Sequence, residues 1–538
     1  MIRLFSLLVI VFFFCQWSFV LAQTTTFNFN KSDIEAAVEF SKSITADELK
    51  QHLFILASDS LEGRETGTVG NQKAGNYIAK QFKENGLTPK GNNGNYFQNI
   101  GFSKKLWTNN KLIINNIYYK NLSDYYSLAW LNPDTFSIQT DEVIFLGYGI
   151  DSPNYSDYTG IDVRGKTILI YGGEPLDEDS ISYITHKKEI SDWTKNLNLK
   201  IVTALTNQVK AVLVIDTDFN NNIGWARKHS LNGNFSITTG VVDNANEFAP
   251  NVFLSPDLAK LLLGDNNISR IAQARDKIKS KGISVHLSLT SKIDYAGKVL
   301  TEKLESANVI GMIEGADATL KKEFVFITAH YDHLGKKGDE IFHGADDNAS
   351  GTSAVLELAE AFAEAKKAGN SPKRSVVCML VTGEEKGLKG SEFFVKYPTV
   401  DLSKIVADVN IDMIGRVDTF HQNNNYVYII GANKLSTDLH NINEEMNERF
   451  TRLTLDYKYN DENDPNRFYY RSDHYNFAKN NIPAIFFFNG THCDYHQPTD
   501  VAEKIDFNKM ERIGKLAFLT AWELADRAER IKIDKENK

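Results

Sequence analysis

The spacing of apolar positions changes twice along the chain. Between residues 30 and 90 it is helical. Leu49, Leu53 and Leu56 follow Thr45-x-x-Glu48, a capping-box start, and a second helix is predicted over 71–85, stopping at Gly86. From about 131 to 295, short β-type runs such as 143–146 and 167–170 alternate with turns rich in Gly, Asp and Asn. That texture predicts a separate, β-rich unit inserted into the chain. From about 300 onward, apolar runs at 324–328, 376–381, 405–411, 426–430 and 482–488 alternate with helical stretches. A helix predicted near Thr352 sets Val355, Leu358 and Phe362 on one face. Strands buried on both faces read as unbroken apolar runs. Their alternation with helices predicts an α/β fold with a mostly parallel central sheet flanked by helices.

Composition narrows the class. The 538 residues exceed one simple core and suggest two or three structural units. A formal net charge of -9 and the lack of a Lys/Arg run argue against nucleic acid or an anionic membrane as partner. Arg3, the apolar run 4–14 and Val20-Leu21-Ala22 before Gln23 read as a secretory signal peptide over 1–22. The expected location is therefore secreted or periplasmic; an uncleaved anchor is the alternative reading. No later stretch is apolar for long enough to span a bilayer, and no stable membrane partner is expected. Beyond the signal only Cys378 and Cys493 remain, which gives no disulfide framework.

The chemistry is carried by where the polar residues fall. His330 and Asp332 follow the run 324–328. Glu384 and Glu385 follow the run 376–381, Asp412 ends the run 405–411, and Asp494 and His496 come shortly after the run 482–488. Ligand sites of open α/β sheets lie just beyond the carboxyl ends of the strands. A Gly-bounded acidic loop, Gly344-Ala345-Asp346-Asp347-Asn348-Ala349-Ser350-Gly351, is a fifth supplier. Adjacent carboxylates are costly unless solvated or metal-bound. Each piece alone has a bland reading: a structural histidine, a solvated helix start, a turn. Their joint occurrence points to metal. Imidazole and carboxylate without cysteine suit catalytic zinc, and several acids suit a two-metal site; cobalt or manganese also fits this donor set.

These pieces resemble peptidase family M28, a family of zinc peptidases. The matching motifs, in the family's order, are Ala329-His330-Tyr331-Asp332-His333, the 344–351 loop, Thr382-Gly383-Glu384-Glu385, Asn410-Ile411-Asp412-Met413, Ser472-Asp473-His474 and Asp494-Tyr495-His496. Gly147-Tyr148-Gly149-Ile150 and Gly165-Lys166-Thr167-Ile168 resemble a protease-associated (PA) domain. With the signal peptide set aside at 1–22, the resemblance implies an N-terminal peptidase segment at 23–130, a PA-like insert at 131–295 and the main peptidase domain at 296–538. It implies two Zn2+ per chain, one held by His330 and Asp412, the other by Glu385 and His496, with Asp347 between them. Glu384 would take a proton from the attacking water and pass it to the leaving amine. Asp332 would hold the His330 ring, and Tyr495 would stabilise the oxyanion. A non-proline cis peptide is implied at Asp347–Asn348. His333, His474 and His492 are taken as structural or supporting, and Arg471 is noted as a substrate contact. The implied activity is release of N-terminal amino acids from peptide or protein substrates. The alternatives are a glutamate-carboxypeptidase-like peptidase, a glutaminyl cyclase-like transferase and an inactive, binding-only relative.

Overall fold

The computed structural model describes residues 31–239 and 248–536, so the expected signal peptide lies outside the described residues. The helix Ala46–Leu56 begins where Thr45 caps the Glu48 amide, and it buries Leu49, Leu53 and Leu56. The next long helix, Val69–Glu84, is capped by Thr68 and is followed by Gly86 in the left-handed region. Both pack with Gly351–Lys367 and Phe507–Asp526 into the larger apolar core.

That core covers one face of a twisted sheet. Neighbour by neighbour, its strands run Thr454–Asp456, Tyr426–Ile430, Ala484–Phe488, Ile405–Ile411, Phe324–His330, Ser375–Val381 and His286–Ile313. The central four strands, from Ala484–Phe488 to Ser375–Val381, pair in parallel. Alternation along each strand explains the unbroken apolar runs. Val376, Cys378 and Leu380 enter the core under the long helices, whereas Val377, Met379 and Val381 enter a second core on the opposite face.

The strand His286–Ile313 leaves this sheet and carries it onward. Its last residues pair with Ser375–Val381, and its first half pairs with Thr135–Leu146. Beyond Thr135–Leu146 come Thr167–Tyr171, Ala211–Ile215 and Asn251–Leu254, all parallel. The inserted segment also carries helices Asn198–Thr206, Phe219–Asn232 and Pro256–Lys281. Asn-rich stretches such as Phe219-Asn220-Asn221-Asn222 hid these helices from pattern reading. The change of texture at 295 falls inside a strand. Tyr295 is buried in a core of the insert and Val309 in the peptidase core, on one unbroken ribbon. Among the described residues no helix is long and apolar enough to cross a membrane.

Candidate metal centre

Parallel pairing of neighbouring strands brings their carboxyl ends to one edge. His330 is the last residue of Phe324–His330. Glu384 and Glu385 follow Ser375–Val381 on one side of it, and Asp412 follows Ile405–Ile411 on the other. Asp347 reaches the same edge from the loop before Gly351–Lys367, and His496 from the loop after Ala484–Phe488. The Asp347 loop is tightly folded. At Gly344 (φ 58°) an added Cβ would lie 2.2 Å from the Asp347 carbonyl oxygen, and at Gly351 2.2 Å from that of Ile411. The Asp347–Asn348 peptide is cis. His496 and Met413 sit at φ 58° and 57°, a region costly for residues with a side chain and common where a site fixes direction.

The five expected ligands converge. His330 Nε2 lies 3.3 Å from Asp347 Oδ1 and 3.3 Å from Asp412 Oδ1. The other oxygen of Asp347 lies 3.0 Å from His496 Nε2, which is 3.2 Å from Glu385 Oε1. Asp347 thus faces both groups, one oxygen to each. A sixth residue joins them. His333 Nδ1 lies 3.0 Å from Glu385 Oε1 and 3.8 Å from Asp347 Oδ2, which puts this histidine within reach of the same acids as His496.

The donor set fits divalent metal. Asp412 Oδ1, Glu385 Oε1 and both ring nitrogens of His333 are buried without a hydrogen-bond partner. His333 and Glu385 are close yet out of hydrogen-bond geometry, as two groups aimed at a common third atom would be. Burial opposes charge on His330, but Asp412, Glu384 and Asp347 outweigh it and hold the ring well above its usual pKa. Burial likewise opposes charge on Asp347, which His330, His333 and His496 nevertheless hold well below the carboxylate range. Burial also opposes charge on Glu385 and His496, yet Glu385 is lowered to about 2 by His333 and His496, and His496 is raised to about 10 by Asp347 and Glu385. Buried anions around imidazoles at these spacings match the carboxylate and histidine ligation of zinc.

The supporting contacts revise one expectation. The Nδ1 of His330 faces the main-chain oxygen of Asp332 at 3.1 Å, while the Asp332 carboxylate stands 3.9 Å away. That carboxylate instead accepts from Thr66 Oγ1 at 2.8 Å and from the Glu384 amide at 3.2 Å. Asp332 therefore fixes, with its carboxylate, the turn that presents Glu384, and it meets the His330 ring through its main-chain oxygen. Asp494 is not among the donors; Arg416, Thr499 and Lys504 bind it. His474 is buried against Phe486, and burial lowers its pKa to about 3. His492 faces Asp346 at 3.2 Å. Ser472 donates to Asp412 Oδ2 at 2.7 Å, and the amide of Asp347 donates to Asp500 at 3.2 Å. Arg64 is buried and donates to the carbonyls of Leu56, Tyr331, His343 and Gly344, tying the N-terminal segment to both ligand loops. Asp500 and Arg64 escaped sequence reading because each acts on backbone brought near only by folding.

Tyr495 stacks on His496 with ring centroids 3.9 Å apart, and its hydroxyl accepts from Arg471 at 3.2 Å. Both line the pocket that holds Glu384 and Asp412, together with the apolar side chains of Met413, Phe468, Phe486 and Phe488.

Residues 308–521, which carry all of these ligands, match the model of peptidase family M28. They are an M28 peptidase domain. Over 295 residues the chain is 28% identical to a probable leucine aminopeptidase of Trichophyton verrucosum (strain HKI 0517), covering 48% of this chain and 78% of that protein. A probable glutamate carboxypeptidase of Arthroderma benhamiae is 39% identical over 107 residues, 20% of this chain and 14% of its own length. An aminopeptidase structure from Aneurinibacillus sp. strain AM-1 aligns with 93% of this chain and 98% of its own, at TM-score 0.53 and 19% identity, a likeness that shows the fold. The M28 domain supplies the donors, and the N-terminal segment, through Arg64 and Thr66, supplies their support.

Proposed function

We propose that this chain is a two-zinc aminopeptidase, exported by residues 1–22, that removes N-terminal residues from peptides, and that its insert is a PA-like unit. The observation that carries the reading is the meeting of two donor groups at Asp347, with Glu384 beside them but belonging to neither. His330 and Asp412 would hold one ion, Glu385 and His496 the other, and Asp347 both. Bound there, the ions supply Lewis-acid polarisation of the scissile carbonyl and a lowered water pKa.

The chain's own residues do the rest. Burial, reinforced by Glu385 and Asp412 and opposed by His330, holds the Glu384 carboxyl well above its usual range. A group that takes a proton from water and returns it to the leaving amine needs such tuning. Asp332 aims Glu384 by accepting from its amide. Tyr495, whose oxygen accepts from Arg471, keeps its own proton to donate to the carbonyl oxygen. The apolar side chains of the pocket exclude water from the departing residue's side chain.

The test is a metal count alongside hydrolysis of aminoacyl chromogenic substrates and of peptides blocked at one end. Two ions per chain and attack only at a free amino end are expected. Glu384→Gln should keep both ions and lose about 10²–10⁴-fold in rate. Near-normal turnover of that variant at full occupancy would remove the mechanism; a single ion would remove the two-metal site.

A further inference from the structure

We propose that Arg471 recognises a free carboxylate one residue beyond the scissile bond, making dipeptides the preferred substrate class. This rests on the aminopeptidase reading above.

Arg471 lies at the mouth of the catalytic pocket, and its position is fixed from both sides. Its amide donates to the Phe468 carbonyl at 3.0 Å, and the next residue, Ser472, holds Asp412. Its exposed side chain is still ordered by contacts. The guanidinium carbon is 4.7 Å from the Phe468 ring centroid, and Nη2 donates to Tyr495 Oη. Among the described residues no carboxylate stands within ion-pair distance of it, whereas Arg416, on the loop after Asp412, is paired with Asp494. A guanidinium offers five N–H donors in a planar fork, and one of them is spent inside the protein. What remains is an oriented cation facing the site with donors free.

The ligand follows from distance. Tyr495 is the hydroxyl placed to meet the scissile carbonyl oxygen, and Arg471 is in direct contact with that hydroxyl. The group Arg471 can reach is therefore a near neighbour of the scissile carbonyl. In a dipeptide only the amide nitrogen and one Cα separate that carbonyl from the terminal carboxylate, a bidentate acceptor for arginine. In a longer or amidated peptide a neutral amide occupies the same place and offers one acceptor. A role confined to orienting Tyr495 would affect both substrates equally.

The experiment compares kcat/KM for leucylglycine and leucylglycinamide in the zinc-loaded wild type, Arg471→Gln and Arg471→Lys. Because each protein is scored by its acid-to-amide ratio, any effect through Tyr495 cancels. The wild type should favour the acid by about tenfold or more, the worth of a charge-assisted hydrogen bond, with the difference in KM. Arg471→Gln should bring the ratio close to one, and Arg471→Lys should retain part of it. A wild-type ratio near one, a ratio that survives in Arg471→Gln, or an equal loss on both substrates would overturn the proposal. Cleavage of the amide upholds the aminopeptidase reading whatever the ratio. Cleavage of neither substrate overturns that reading and this one with it.

Discussion

Two imidazoles compete for one side of the site. His496 Nε2 lies within 3.2 Å of both Glu385 and Asp347, whereas His333 Nδ1 is close to Glu385 alone, at 3.0 Å, and stands 3.8 Å from Asp347. His333 also groups with Asp347 and Glu385, but His496 is close to both acids that would share its ion, so His496 is the better placed. His333 is fully buried, and among the described residues its ring nitrogens have no hydrogen-bond partner, so its removal leaves Glu385 less well held. His496→Ala should lose one of two metals outright. His333→Ala should keep two but bind the second about 10–100-fold more weakly, the usual cost of losing a residue that orients a ligand. Metal content after dialysis against graded zinc buffers reads this directly, and the reverse order would make His333 the ligand. His330 and Asp412 were legible in sequence because they stand at the ends of apolar strands and need only the sheet to bring them together, whereas Glu385, four residues past Val381, was legible through the Thr382-Gly383-Glu384-Glu385 motif. His333 was not, because three residues beyond a strand its direction depends on a turn. Nor was Arg64, whose role is to bind four carbonyls distributed between Leu56 and Gly344.

Helices and strands of the peptidase unit follow the apolar pattern closely, since a sheet buried on both faces admits few polar positions. Where a polar group does enter, it should be felt in the pH dependence of stability. Glu523, in the last turn of Phe507–Asp526, is 9% exposed. Burial raises its carboxyl from 4.5 to about 8; Arg527 opposes this, and Asp526 and Glu445 add to it. A helix C-terminus is also an unfavourable place for an anion. The folded chain thus holds a proton that the unfolded chain has released. The stability this contributes is whole below the unfolded value of 4.5 and is lost as pH rises through about 8. Glu523→Gln should match the wild type in melting temperature near the lower limit and exceed it near the upper one. The gap would be on the order of a few kcal/mol at most. Parallel pH profiles for the two proteins would show that Glu523 titrates normally. The insert's elements were less legible, because polar, Asn-rich helices such as Phe219–Asn232 lack a clear apolar stripe.

At the scale of the whole molecule, the peptidase unit and the insert share their longest strands. Phe97–Ile114 and His286–Ile313 run antiparallel over most of their length. Ile114 and Tyr295 are buried in a core of the insert, while Ile313 and Val309, on the same second ribbon, are buried in the peptidase core. Neither unit can unfold without exposing strand edges and apolar faces of the other. An unpaired edge strand is itself a liability to folding and solubility. Ions bound at the strand ends stabilise the native state alone, by about 2.7 kcal/mol at a free concentration one hundred times the dissociation constant. Because the ribbons couple the units, that gain should reach the insert too. Calorimetry of the metal-loaded protein should show one cooperative transition, and chelation should move the whole of it to lower temperature. Trp225 of the insert packs edge-on with Trp130 at its border, so in a variant whose other tryptophans are changed to Phe their fluorescence follows that unit. If their transition stays in place while the rest of the protein melts earlier under chelator, the ribbons do not couple the units, and the insert is an independent domain carried on two strands.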